Sequence, residues 1–170
     1  MTVIPFGKKT PTIAGDAFVH ESAVVIGDAN IHDRASIWPC AVVRADDDRI
    51  EIGKESAILD LALLEAPSGR PVTVGERCIV SHAAKLHGCT VMRGTLVGIG
   101  ATVLDGATIG EGSMIAAGAL VPPGTNIPPG SFIVGFPGKV KRGVSAEERQ
   151  YVEDEVRHII EKVRTYRGRA

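Results

Sequence analysis

The chain has 170 residues, 19 basic and 20 acidic side chains for a formal net charge of −1, and 4% aromatics within 44% hydrophobic residues. Charge this close to balance gives no general reason to expect nucleic acid or an anionic membrane as partner, and no stretch approaches the ~18 apolar residues of a membrane span. Three cysteines (Cys40, Cys78, Cys89) are an odd number and read as buried thiols in a reducing cytoplasm rather than a disulfide framework.

The first segment, Met1 to Lys9, has no apolar run preceded by basic residues, so no secretory signal and a cytoplasmic protein are expected. From Ile13 an aliphatic recurs at every sixth position: Val19, Val25, Ile31, Ile37 and Val43. A small residue follows four positions later, at Ala17, Ala23, Ala29, Ala35 and Ala41. Neither a helix, with period 3.6, nor strand alternation, with period 2, produces that spacing. Six means short straight segments joined by tight turns, with one inward aliphatic per segment.

After Val43 the next anchor is Ile52, so the polar stretch Arg44–Arg49 carries three inserted residues. Ile58 and Leu64 resume the beat. A second gap containing Pro67, Ser68, Gly69 and Pro71 reads as a loop. Val74, Val80 and Leu86 follow, and Val91 arrives one residue early. Val97, Val103, Ile109, Ile115, Val121, Ile127 and Ile133 then keep time without a break. Gly53, Gly75, Gly98 and Gly110 each directly follow an anchor, where a turn can need positive φ. Three segments make one triangular coil, so the repeat predicts an all-β solenoid of about seven coils, a parallel β-helix over about residues 11–136.

Pro137 and Gly138 mark an exit. Ser145 and Glu148 have capping-box spacing, and Val152, Val156, Ile159, Ile160 and Val163 form one apolar stripe. A C-terminal helix over about 145–166 is expected, packed along its own solenoid or a neighbour's, with residues 1–170 forming a single domain.

Of five histidines, His20 and His32 directly follow anchors and read as solvated turn residues, and His158 as surface or helix packing. His82 and His87 sit five apart across a corner of one coil. From one chain they point along different flat faces. Between two chains packed face to face a single metal could collect both, and a cyclic trimer makes three such sites. Spacing alone leaves metal ligands and ordinary surface histidines both open.

The chain resembles the γ-class carbonic anhydrases and their relatives. The residues that carry the resemblance are Ser36-Ile37-Trp38, Ala41 through Asp46, Asp60, His82, and His87-Gly88-Cys89. The stretch from Leu104-Asp105-Gly106-Ala107 to Gly135-Phe136-Pro137-Gly138-Lys139-Val140 adds to it. The resemblance covers nearly the whole chain and implies a homotrimer of left-handed β-helices, each with a C-terminal helix. It also implies zinc at each subunit interface, with Fe²⁺ or Co²⁺ as other divalent choices, and CO₂ and bicarbonate as substrates. Arg44 and Asp46 match residues that organise the interface, and Asp60 one that pairs with the arginine across it. His82 and His87 match the second and third zinc-binding histidines. The first falls on Glu65, and a glutamine that positions the attacking water falls on Leu59.

These two departures bear on mechanism. Three neutral imidazoles leave Zn²⁺ its full charge, which pulls the pKa of bound water towards ~7. A carboxylate at Glu65 lowers the net charge of the site by one and makes that water less acidic. Three readings of Glu65, His82 and His87 follow: slow or altered hydration, metal binding without hydratase activity, or a lost metal with Glu65 in a salt bridge, for example to Lys85. Acyl transfer from acyl-CoA, used by many hexapeptide-repeat proteins, and a non-catalytic binding trimer are the alternatives. The short loop Ala66–Pro71 lacks the histidine such transferases usually place in a long loop.

Overall fold

The computed structural model describes residues 2–168. They form a parallel β-solenoid of about seven turns followed by one helix, Ala146–Arg167. The six-residue beat becomes two-residue strands that pair in parallel with their counterparts one coil on. Thr102 and Val103 face Leu120 and Val121, for example, and Ile79 and Val80 face Leu96 and Val97. In each pair the anchor turns inward and its neighbour outward. From Val25 to Ile133 every anchor is at most 4% exposed, while Ile13 and Val19 pack half-buried at the open end of the same aliphatic column.

The corners follow an equally regular rule. Three residues after an anchor the backbone turns left-handed: Arg34, Cys40, Glu55, Leu61, Arg77 and Ala83 in the earlier coils, then Gly94, Gly100, Gly106, Gly112, Gly118, Gly124 and Gly130. A non-glycine there costs on the order of 1 kcal/mol. Bonds between corners offset it, as where Leu61 N–H donates to Pro39 O (3.1 Å) and Ala83 N–H to Asp60 O (2.9 Å).

Gly53, Gly75, Gly98 and Gly110, expected to supply positive φ, do not adopt it. They are glycine because successive coils approach too closely for a side chain. A Cβ on Gly98 would lie 2.5 Å from Ile115 O, and one on Gly110 would lie 2.4 Å from Pro129 N.

The polar insertion is extended chain rather than a protruding loop. It lies within an 11-residue strand, Val42–Ile52, that rounds a corner beside Val24–Ile31, with a register shift between Gly27 and Ala29. Lys9 Nζ donates to the carbonyls of Asp46 (2.7 Å) and Asp47 (2.8 Å), tying the N-terminal turn to this strand.

Cys78 and Cys89 are buried as expected, and desolvation pushes both thiols up to about 12. Cys40 is a correction: it sits on a left-handed corner and is exposed. His20 is another, because it is not freely solvated. Its ring is half-buried, edge-on to Phe18 and Tyr166, with Nδ1 2.8 Å from Ser22 Oγ.

Both halves of the capping box between Ser145 and Glu148 are formed. The helix lies along its own solenoid: Val152, Val156 and Ile159 pack on Trp38, Ala57 and Ile79, with Leu59 and Leu96 at the margin. Arg77 ties the two parts together by pairing with Glu55 of the solenoid and Glu153 of the helix. Among the described residues no helix is long and apolar enough to cross a membrane.

Candidate metal centre

Outward residues that directly follow anchors on adjacent coils fall in one file. Val43, Leu64 and Leu86 point into the column, so Arg44, Glu65 and His87 point out of it. The strand register sets Arg44 beside Glu65 and Glu65 beside His87. Neighbouring strands lie about 4.8 Å apart, so the three side chains are within reach of one another.

The Arg44 guanidinium closes on Glu65 Oε1 through Nη2, and its Nε lies 3.4 Å from Asp46 Oδ1. Neither Arg44 Nε nor Asp46 Oδ1 makes a hydrogen bond, although both atoms are buried. The two atoms face each other as a buried ion pair whose hydrogen bond is not completed. His87 Nε2 stands 3.9 Å from Glu65 Oε1 and its Nδ1 bonds the carboxylate of Asp105. Beside them runs a groove of about 310 Å³ with Leu63, Leu86, Leu104 and Pro123 among its walls. Cys89, two residues on, turns into the aliphatic column and is 1% exposed, so it does not face this groove.

His82 is elsewhere. It occupies the turn between strands Ile79–Val80 and Lys85–His87, and its Nδ1 is 3.1 Å from Asp60 Oδ2. The corner backbone runs as a ladder, in which His82 O accepts from Gly100 N–H at 2.9 Å. Leu61 and Ile99, 64% and 58% exposed, flank the Asp60–His82 pair on this corner.

One chain therefore brings Arg44, Asp46, Glu65 and His87 together on one face and holds Asp60 with His82 on a corner. Among the described residues no three His, Cys, Asp or Glu side chains are grouped closely enough to hold a metal ion. Glu65 pairs with Arg44, not with Lys85, whose Nζ donates to Ala83 O at 3.3 Å. Leu59 packs against the cluster under the C-terminal helix. Asp105, which the sequence did not single out on its own chemistry, is the added member. Its signal is arithmetical: it lies 18 residues after His87, three hexads and one full coil.

A family model described as "Bacterial transferase hexapeptide (six repeats)" matches residues 88–123. A Methanocaldococcus jannaschii protein named "Probable carbonic anhydrase" is 43% identical over 142 residues, covering 84% of this chain and 89% of that one. A carbonic anhydrase of Geobacillus kaustophilus is 36% identical over 166 residues, covering 98% and 91%. The match to the Escherichia coli protein YrdA, 38% identical, spans only 56% of either chain. The solved structure titled "putative acetyltransferase, product of BC4754 gene" of Bacillus cereus superposes with a TM-score of 0.97 at 34% identity, over 99% of this chain and 98% of the other. Hexapeptide coils, a C-terminal helix and 36–43% identity to carbonic anhydrases over 84–98% of its length together make this chain a member of the γ-class carbonic anhydrase-like hexapeptide-repeat family.

Proposed function

We propose that the chain is a γ-carbonic anhydrase-like metal protein that acts as a homotrimer. In this reading a divalent cation, Zn²⁺ first and Fe²⁺ or Co²⁺ as alternatives, is held by Glu65 and His87 of one protomer with His82 of the next. The observation that carries it is the register pairing of Glu65 with His87, 3.9 Å apart at the mouth of the groove. His87 Nε2 has no hydrogen-bond partner among the described residues. A carboxylate and an imidazole are a fitting part of a zinc donor set, and two histidines with one glutamate complete a known catalytic one. Exposed Leu61 and Ile99 around His82 suit a corner covered by another protomer.

Such an ion, when bound, supplies Lewis acidity towards water and CO₂. The chain's own residues set how well that chemistry proceeds. Arg44 holds Glu65 and Asp46 in place, Asp60 holds the Nδ1 side of His82, and the apolar groove limits competing water. Glu65 brings a negative charge where an imidazole would bring none, so the site is a weaker activator of water. Leu59, which the resemblance matches to the water-orienting glutamine, packs under the C-terminal helix and offers no hydrogen bond. CO₂ hydration is accordingly slow or lost, while metal binding remains. Acyl transfer from acyl-CoA is the second reading, favoured by the acetyltransferase name of the Bacillus cereus neighbour, although the short loop Ala66–Pro71 carries no histidine to serve it.

Elemental analysis of protein purified without added metal, combined with sedimentation equilibrium, tests the proposal. One divalent ion per chain in a trimer is expected. A metal-free monomer after Zn²⁺ addition overturns it.

A further inference from the structure

His87 is held from behind as well as faced from the front. Leu86 pairs with Val103 in register, which brings the next turn, Leu104-Asp105-Gly106, alongside the His87 corner. There the Asp105 carboxylate meets Nδ1 of the ring, while Nε2 is left towards Glu65. The surrounding backbone fixes this arrangement. Gly88 N–H donates to Glu65 O at 3.0 Å, and Gly106 N–H donates to Gly88 O at 2.7 Å, so three successive coils are pinned at this corner.

Gly88 also has to be bare. It adopts φ +53°, and a Cβ there would fall 2.9 Å from Asp105 Oδ1 and 2.9 Å from Arg70 Cβ. The missing side chain leaves the space through which the carboxylate reaches the imidazole. At the other candidate ligand, Asp60 Oδ2 lies 3.1 Å from Nδ1 of His82 as an ion-pair contact, without the hydrogen bond that joins Asp105 to His87.

We infer that Asp105 is a positioning residue for His87, accepting a hydrogen bond from Nδ1–H and so presenting the Nε2 lone pair to the groove. An ionised carboxylate can only accept, so in the neutral ring the nitrogen facing it carries the proton. Histidines that bind metals generally donate their second nitrogen to such a partner, which orients the ring and strengthens it as a donor. The role in metal binding rests on the proposed metal site. The tautomer does not.

The test uses the full chain with Asp105→Leu, Asp105→Asn and Gly88→Ala, and two readouts. In metal-free protein labelled with ¹⁵N-histidine, long-range ¹H–¹⁵N spectra report the tautomer of the neutral ring. His87 is expected as Nδ1–H in the wild type and in Asp105→Asn, whose amide oxygen still accepts. The Nε2–H form is expected to predominate in Asp105→Leu. In competition with a chromophoric chelator, Zn²⁺ affinity should fall on the order of 10–100-fold in Asp105→Leu. The loss should be smaller in Asp105→Asn, with Gly88→Ala between them. If Asp105→Leu does not fold, Asp105→Ala takes its place.

Retention of the Nδ1–H tautomer in the leucine variant, or Zn²⁺ affinity unchanged from wild type, overturns the inference. Wild-type protein that binds no Zn²⁺ but shows the tautomer change leaves the positioning intact and overturns the metal-site reading instead.

Discussion

Arg44 and Glu65 face each other across adjacent coils, and the guanidinium closes on the carboxylate. The carboxylate proposed as a metal ligand is thus already engaged within its own chain. Any cation entering there meets a ligand whose charge is partly spent. Because the Arg44 side chain is 41% exposed, solvent screens the pair, and Arg44→Ala should cost no more than about 1 kcal/mol. That corresponds to a drop in Tm of about 2–4 °C for a chain of this size. A much larger drop in a calorimetric scan would mean that Arg44 supports the fold beyond this pair.

Replacing the carboxylate tests the departure itself. Glu65→His removes one negative charge and one partner of Arg44, and should tighten Zn²⁺ binding. It should also raise any CO₂ hydration rate on the order of tenfold, which corresponds to about 1.4 kcal/mol in the barrier. Stopped-flow hydration with a pH indicator and chelator competition measure the two effects. No gain in either counts against Glu65 as a ligand.

The exposed corner beside His82 gives a test of assembly. Ile99 is 58% exposed in the single chain and lies one rung of the corner ladder from His82. Ile99→Asp places a charge where the proposed trimer needs an apolar contact, and should shift sedimentation towards monomer without lowering Tm by more than a few degrees. A trimer that persists at micromolar concentration would put the interface on another face.

Glu148 makes the helix start sensitive to acid. Its side chain takes two hydrogen bonds from Arg142 and one from Ser145 N–H, and the Arg142 bonds foremost lower its carboxyl from 4.5 to about 2. A folded-state pKa below the unfolded one stabilises at higher pH. The contribution is therefore complete above about 4.5 and is lost as pH falls towards about 2. Helix signal by circular dichroism should weaken across that window in the wild type. Glu148→Gln should show a flatter profile and a lower plateau at neutral pH.

The thiols should divide sharply. Cys40 is exposed, whereas burial holds Cys78 and Cys89 at about 12 and away from solvent. One equivalent should react quickly with an aromatic disulfide reagent in native protein, and three after denaturation. Cys40→Ser should abolish the fast phase. Rapid reaction of more than one thiol would show that the coils open readily.

The solenoid was legible because a single six-residue rule governs both the inward aliphatics and the small corners, and each coil repeats it. The anchors also carry the site: the residues after Val43, Leu64 and Leu86 must share a face, which places Arg44, Glu65 and His87 in one file. Anchor counting also disfavours Lys85 as partner of Glu65, because it precedes its anchor and pairs with Leu63 instead. Corner geometry was harder to read. Cys40 looked like a small buried thiol, but three residues past an anchor the backbone turns its side chain outward. Gly98 and Gly110 looked like turn formers, while the physical reason lies in the carbonyls and amides of the next coil, which no local pattern announces. Asp105 escaped because its link to His87 spans a whole turn of the solenoid.

The change from side chains to bare glycine at the left-handed corners makes the molecule chemically lopsided along its axis. Coils before Gly94 display a sulfur, charges and aliphatics at that left-handed position, while later coils carry only glycine there. New specificity can be written into the early edges by exchanging one residue at a time, with the backbone already bent to receive it. The later edges resist such rewriting, since any replacement for glycine must first meet the cost of the bend. Variation among relatives of this chain should accordingly concentrate on the rims of the first coils.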